Sequence, residues 1–104
     1  MPKASKELEA FIDETIKRGR DKGYTPTVFI GMRQTYGTIP AISKLVQNGD
    51  IQSGFKRLHK LGLLNWTIEA AIDKFRTEFT KDDLECAMFR LREARKDDDN
   101  ANRA

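Results

Sequence analysis

The sequence predicts an all-α protein, one compact domain of five or six short helices around a single core. Three observations predict it. Apolar residues recur at the i, i+3, i+4, i+7 spacing of amphipathic helices. Helix caps and terminating glycines interrupt that periodicity at each change of element. No alternating apolar–polar run is long enough to form a sheet. The 104 residues suit one core and not two.

The first helix opens at Ser5, a good N-cap, with Glu7 and Glu9 in the first turn, where the helix dipole favours anions. Leu8, Phe11, Ile12, Thr15, Ile16 and Gly19 share one face. A glycine on that stripe implies that another backbone passes close by. Lys17, Arg18, Arg20 and Lys22 crowd the C-terminal end, and Gly23 stops the helix. The second helix is expected to take Thr25 as its cap and Pro26 as its first residue, with Phe29, Met32 and Tyr36 inward and Gly37 at its end. The β-forming run Val28-Phe29-Ile30 leaves a short strand as the alternative.

Thr38 begins the third helix, which tolerates Pro40 in its first turn and turns Ile39, Ile42, Leu45 and Val46 inward before Asn48-Gly49. Asp50 or Ser53 caps the fourth, with Phe55, Leu58 and Leu61 inward and Gly62 past the end. Asn65 or Thr67 starts the fifth, whose stripe is Ile68, Ala71, Ile72 and Phe75. Thr80 and Asp83 form a variant capping box for the sixth, which presents Leu84, Ala87, Met88 and Leu91 on one face. The domain is therefore expected over residues 5–95. Residues 96–104 have almost nothing to bury and are expected to form a disordered polar tail.

Composition is 34% charged and 38% hydrophobic, with mean hydropathy −0.64, which reads as soluble and globular. No run approaches the roughly 18 apolar residues of a membrane span. Met1-Pro2-Lys3 leads straight into a charged helix, so no signal-peptide segment is expected. Cys86 is the sole cysteine and cannot form an internal disulfide. A cytoplasmic location is the expectation. Net charge is only +3, but residues 1–64 hold 11 Lys and Arg against 6 Asp and Glu, while residues 65–104 hold 8 against 10. The first part could draw an anionic partner.

Chemistry has few candidates. His59, the only histidine, lies on the flank of the fourth helix with no Ser or Asp placed to complete a triad. One Cys and one His cannot make a zinc site. Asp97-Asp98-Asp99 lacks the glycine and the bidentate glutamate of a calcium loop. The glycines form no phosphate-binding pattern. A chain this small leaves little wall for a substrate pocket. Neither an enzyme nor a cofactor nor a metal is expected.

Two binding readings remain. The third and fourth helices have helix–turn–helix proportions, with Gln52, Ser53, Lys56, Arg57 and Lys60 as nucleic-acid contacts and Lys17, Arg18 and Arg20 as company. The connection, roughly Gln47 to Gln52, is longer than the motif's usual three or four residues. The sixth helix carries Cys86 and Phe89 nearly opposite its main stripe. That second face could meet the first helix, a partner protein or another copy of the chain. Trp66 is either a staple over the next helix or an exposed anchor.

The pattern Tyr24-x-Pro26, Gly31-Met32, Gly37, Ala41, Gly54-Phe55-x-x-Leu58-x-x-Leu61-Gly62-x-Leu64-x-x-Thr67-x-Glu69, continuing through Phe79-Thr80, Ala87 and Arg90-Leu91, resembles a group of short bacterial proteins of uncharacterised function. The resemblance implies a shared helical fold and transfers no site residues. Glu69 and Arg90 are its only polar positions without a role in core or caps, and a salt bridge is the simplest account of both. The expected function is non-enzymatic binding of a protein partner or a second copy, with DNA binding as the alternative.

Overall fold

The computed structural model of the protein describes residues 3–48 and 53–103. Six α-helices follow in order: α1 Lys6–Asp21, α2 Thr27–Tyr36, α3 Thr38–Gln47, α4 Ser53–Lys60, α5 Ile68–Lys74 and α6 Lys81–Arg103. Short 3₁₀ turns lie at Leu64–Trp66 and Arg76–Glu78. No strand occurs among the described residues, and Val28-Phe29-Ile30 belongs to α2.

The seven-residue α5 is the hub, packed against α6, α1 and α3. Its small Ala71 and the Ala87 of α6 are both fully buried, and their size lets these helices approach closely. Leu8 and Ile12 of α1, Phe29 of α2, and Ala41, Ile42, Leu45 and Val46 of α3 close the core around Ile72. Burying side chains of this size contributes on the order of 1.5–3 kcal/mol each before chain entropy is counted. Gly37 alone joins α2 to α3, and its φ of +93° is the left-handed region that glycine adopts freely.

The caps explain the helix starts. Ser5 accepts from the Leu8 amide at 3.1 Å, and Glu78 receives both the Ser5 amide and its hydroxyl at 2.7 Å, tying α1 to the Arg76–Glu78 turn. Thr67 caps α5 through the Ala70 amide at 3.0 Å. The Thr80–Asp83 box is reciprocal, with Asp83 N–H on Thr80 Oγ1 at 3.1 Å and Thr80 N–H on Asp83 Oδ2 at 3.3 Å. Asp83 also receives Ser43 Oγ and Gln47 Nε2 from α3, at 2.7 and 2.6 Å. Arg33 of α2 spans Glu9 and Asp13 of α1, each at 2.8 Å, while its Nε donates to Thr38 at 3.0 Å and Thr38 donates in turn to Glu9.

Two expectations require correction. Thr25 does not cap α2; Pro26 stands at the cap without a side-chain bond, its carbonyl accepting from the Ile30 amide at 3.0 Å. Tyr36 is not inward: half of it is exposed, and the Lys44 ammonium sits 4.8 Å over its ring. Helix α6 runs to Arg103, with Arg95 to Asn100 exposed. Within that stretch Asp98 meets His59 Nε2 of α4 at 2.8 Å. Asp50 and Gly49 lie outside the described residues.

Candidate functional site

A cavity of about 440 Å³ lies between α1, the Tyr24–Phe29 segment, α4, and the start of α5. That volume falls within the ~300–1,000 Å³ of small-ligand pockets, so the expectation of too little wall is overturned. Two glycines make the space. A Cβ on Gly19 would sit 3.0 Å from the Tyr24 carbonyl oxygen, and one on Gly54 would sit 2.8 Å from the Tyr24 hydroxyl. The Tyr24 amide donates to the Gly19 carbonyl at 2.8 Å. Tyr24 is therefore clasped between α1 and α4, and Gly19 has the close backbone neighbour that its place on the stripe implied.

The walls are apolar: Phe29, Leu45, Phe55, Leu58 and Ile68. Thr25, Thr27 and Val28 line the exposed side, with Val28 65% exposed. The deep side is polar. Glu69 of α5 and Arg90 of α6 are 1% and 6% exposed and form an ion pair, Nη1 to Oε2, at 2.7 Å. Arg90 Nη2 also donates to the carbonyls of Leu45 and Asn48, at 3.4 and 3.0 Å. The two polar positions left without a role by the sequence pattern thus partner each other.

Two oxygens of cavity-lining residues, Glu69 Oε1 and Thr15 Oγ1, have no hydrogen-bond partner among the described residues, and both are closed to solvent. An unsatisfied buried polar atom costs about 1–3 kcal/mol, so native structures retain few of them. Burial pushes the Glu69 carboxyl above its ordinary range, opposed chiefly by Arg90. Burial also raises the Tyr24 phenol, against the nearby positive charge of Arg57. No Ser, Cys or His lines the cavity among the described residues.

The connection that would join α3 and α4 as a helix–turn–helix runs through residues 49–52, outside the described residues. Helix α4 packs chiefly on the Leu64–Trp66 turn, and α3 on α2 and α6. Lys17, Arg20, Lys56, Arg57 and Lys60 are exposed. Arg18 is engaged by Glu14 at 3.4 Å and by the Trp66 ring at 4.1 Å. Gln52 lies outside the described residues, and Ser53 opens α4. Helices α1 and α4 come close where a Cβ on Gly19 would lie 3.6 Å from Leu58 Cδ2.

The expected partner face also divides. Trp66 stacks on Phe11 at 4.9 Å beneath Arg18, so it staples the turn to α1. Cys86 packs on the core, half-buried. Phe89 alone faces outward, 57% exposed. Among the described residues no group of three His, Cys, Asp or Glu side chains comes together, and no helix is long and apolar enough to cross a membrane.

Comparison with protein-family models, curated proteins and solved structures gave no match.

Proposed function

We propose that this chain is a non-enzymatic binding domain whose recognition site is the Tyr24 cavity and whose occupant is a small molecule. The carrying observation is an apolar cavity of ligand size with Thr15, Glu69 and Arg90 buried on its deep side. Apolar walls supply affinity by excluding water, and a few fixed polar groups set orientation. The geometry favours holding over catalysis. Glu69 is already engaged by Arg90, and the described lining offers no nucleophile for it to activate.

An amide NMR titration with 4-phenyl-1-butanol tests the reading. Saturable shifts at Thr15, Gly19, Gly54 and Glu69 are expected. No shift up to the solubility limit, or shifts confined to another surface, would overturn it.

A second reading, binding of a protein partner or a second copy, is favoured by Phe89, a large apolar side chain exposed on α6. Its test is sedimentation of the wild type against Phe89→Ser, where a concentration-dependent assembly lost in the variant supports it. DNA binding draws its support from the exposed cations of α1 and α4, and a salt titration against duplex DNA checks it.

A further inference from the structure

The charges around the cavity do not balance. Its lining holds two charged residues, Glu69 and Arg90, and they neutralise each other in the ion pair at 2.7 Å. A further cation, Arg57, stands at its edge. Arg57 lies one turn along α4 from Gly54, at the i, i+3 spacing of helix neighbours, and Gly54 and Leu58 on either side of it line the cavity. Its side chain is exposed and has no ion pair or hydrogen bond among the described residues. A Cβ on Gly54 would sit 2.8 Å from the Tyr24 hydroxyl, so that hydroxyl lies against the turn of α4 that carries Arg57. The phenol feels Arg57 as a nearby positive charge. Tyr24 is half-buried, and its hydroxyl has no hydrogen-bond partner among the described residues; unlike Glu69 Oε1 and Thr15 Oγ1, it is not closed to solvent. Burial raises the phenol above its ordinary range, so near neutral pH it keeps its proton and can donate. Asp21, at the end of α1, lines a different hollow with Lys17 and Arg20.

We propose that the occupant is a small anionic amphiphile, an apolar body ending in a carboxylate, whose body fills the cavity and whose head is received at its edge by the Arg57 guanidinium and the Tyr24 hydroxyl. The proposal rests on the small-molecule reading above and adds the sign of the head group. Charge complementarity selects this occupant. The guanidinium presents a planar fork of donors that matches a carboxylate, and the phenol adds one more donor. An ammonium head would instead meet Arg57, with the exposed Lys60 one turn further along the same face of α4. A neutral head gains the walls and the phenol but no charge pairing. Because Arg57 is exposed, the preference is modest and weakens as salt screens it.

The test is a head-group series on one body: 4-phenylbutyrate, 4-phenyl-1-butanol and 4-phenylbutylamine, titrated by amide NMR into the full chain near neutral pH, at low and at high salt. At low salt 4-phenylbutyrate is expected to bind about fivefold more tightly than the alcohol, and the amine more weakly than the alcohol. High salt is expected to narrow both gaps. Arg57→Gln is expected to bring 4-phenylbutyrate to the level of the alcohol while leaving the affinity for the alcohol unchanged. Tyr24→Phe is expected to weaken 4-phenylbutyrate about threefold. A carboxylate that binds no more tightly than the alcohol or the amine would overturn the head-group proposal while leaving the cavity reading in place. A carboxylate preference that survives Arg57→Gln would do the same. No binding by any of the three would overturn both.

Discussion

Arg90 holds one oxygen of Glu69 at 2.7 Å, and the other has no hydrogen-bond partner among the described residues. The pair joins α5 to α6 where both are buried. Removing one member strands the other charge, at a cost of about 3–5 kcal/mol, whereas replacing both by apolar groups is often neutral. Arg90→Met is therefore expected to lower unfolding free energy by about 3–5 kcal/mol in urea titrations, and Glu69→Leu combined with it to recover most of that loss.

Stability should also follow the protonation of Glu69. Its carboxyl is raised from the ordinary 4.5, first by burial, against Arg90. A group that binds its proton more tightly when folded contributes stability below its unfolded value and loses it as pH rises through its folded value. The stability of wild type minus that of Glu69→Gln should fall as pH rises from about 4.5 toward neutrality. Parallel urea midpoints across that range check the sign, and a difference that rises with pH would refute it.

Gly54 answers to one atom, the Tyr24 hydroxyl. Alanine inside a helix is worth about 0.5–1 kcal/mol over glycine. In the wild type that gain is set against a Cβ 2.8 Å from the hydroxyl, while the next nearest atom, Tyr24 Cζ, is 3.8 Å away. Gly54→Ala should therefore be neutral or destabilising alone and stabilising by about 0.5–1 kcal/mol in a Tyr24→Phe background. A double-mutant cycle by thermal unfolding measures the coupling.

Arg33 gathers α1, α2 and the start of α3 through Glu9, Asp13 and Thr38. Lysine keeps the charge but cannot hold that forked geometry. Arg33→Lys should cost about 1–2 kcal/mol in urea unfolding, less than removal of a buried charge, because both carboxylates can turn to water.

The fold was legible where local chemistry sufficed. Ser5, Thr67 and the Thr80–Asp83 box cap the helices they were expected to cap, and Gly23, Gly37 and Gly62 stand past helix ends with positive φ. At Thr25-Pro26 the helix starts one residue later than the threonine implies, because the Pro26 carbonyl takes the first α2 amide bond. The cavity was half visible. Gly19 and Thr15 interrupt the apolar stripe of α1, and Glu69 and Arg90 stood out as polar positions lacking a role. No periodicity, however, shows that Tyr24 links the glycines of two helices or that those four polar and small residues line one space. Such a relation belongs to tertiary packing, which brings residues 15, 69 and 90 together across the chain.

If the Tyr24 cavity holds a small molecule, that molecule must stabilise the folded chain. Equilibrium urea unfolding of the wild type with and without saturating 4-phenyl-1-butanol measures this. An unfolding midpoint that rises with ligand concentration is predicted, and an unchanged midpoint at the solubility limit would refute the proposed function.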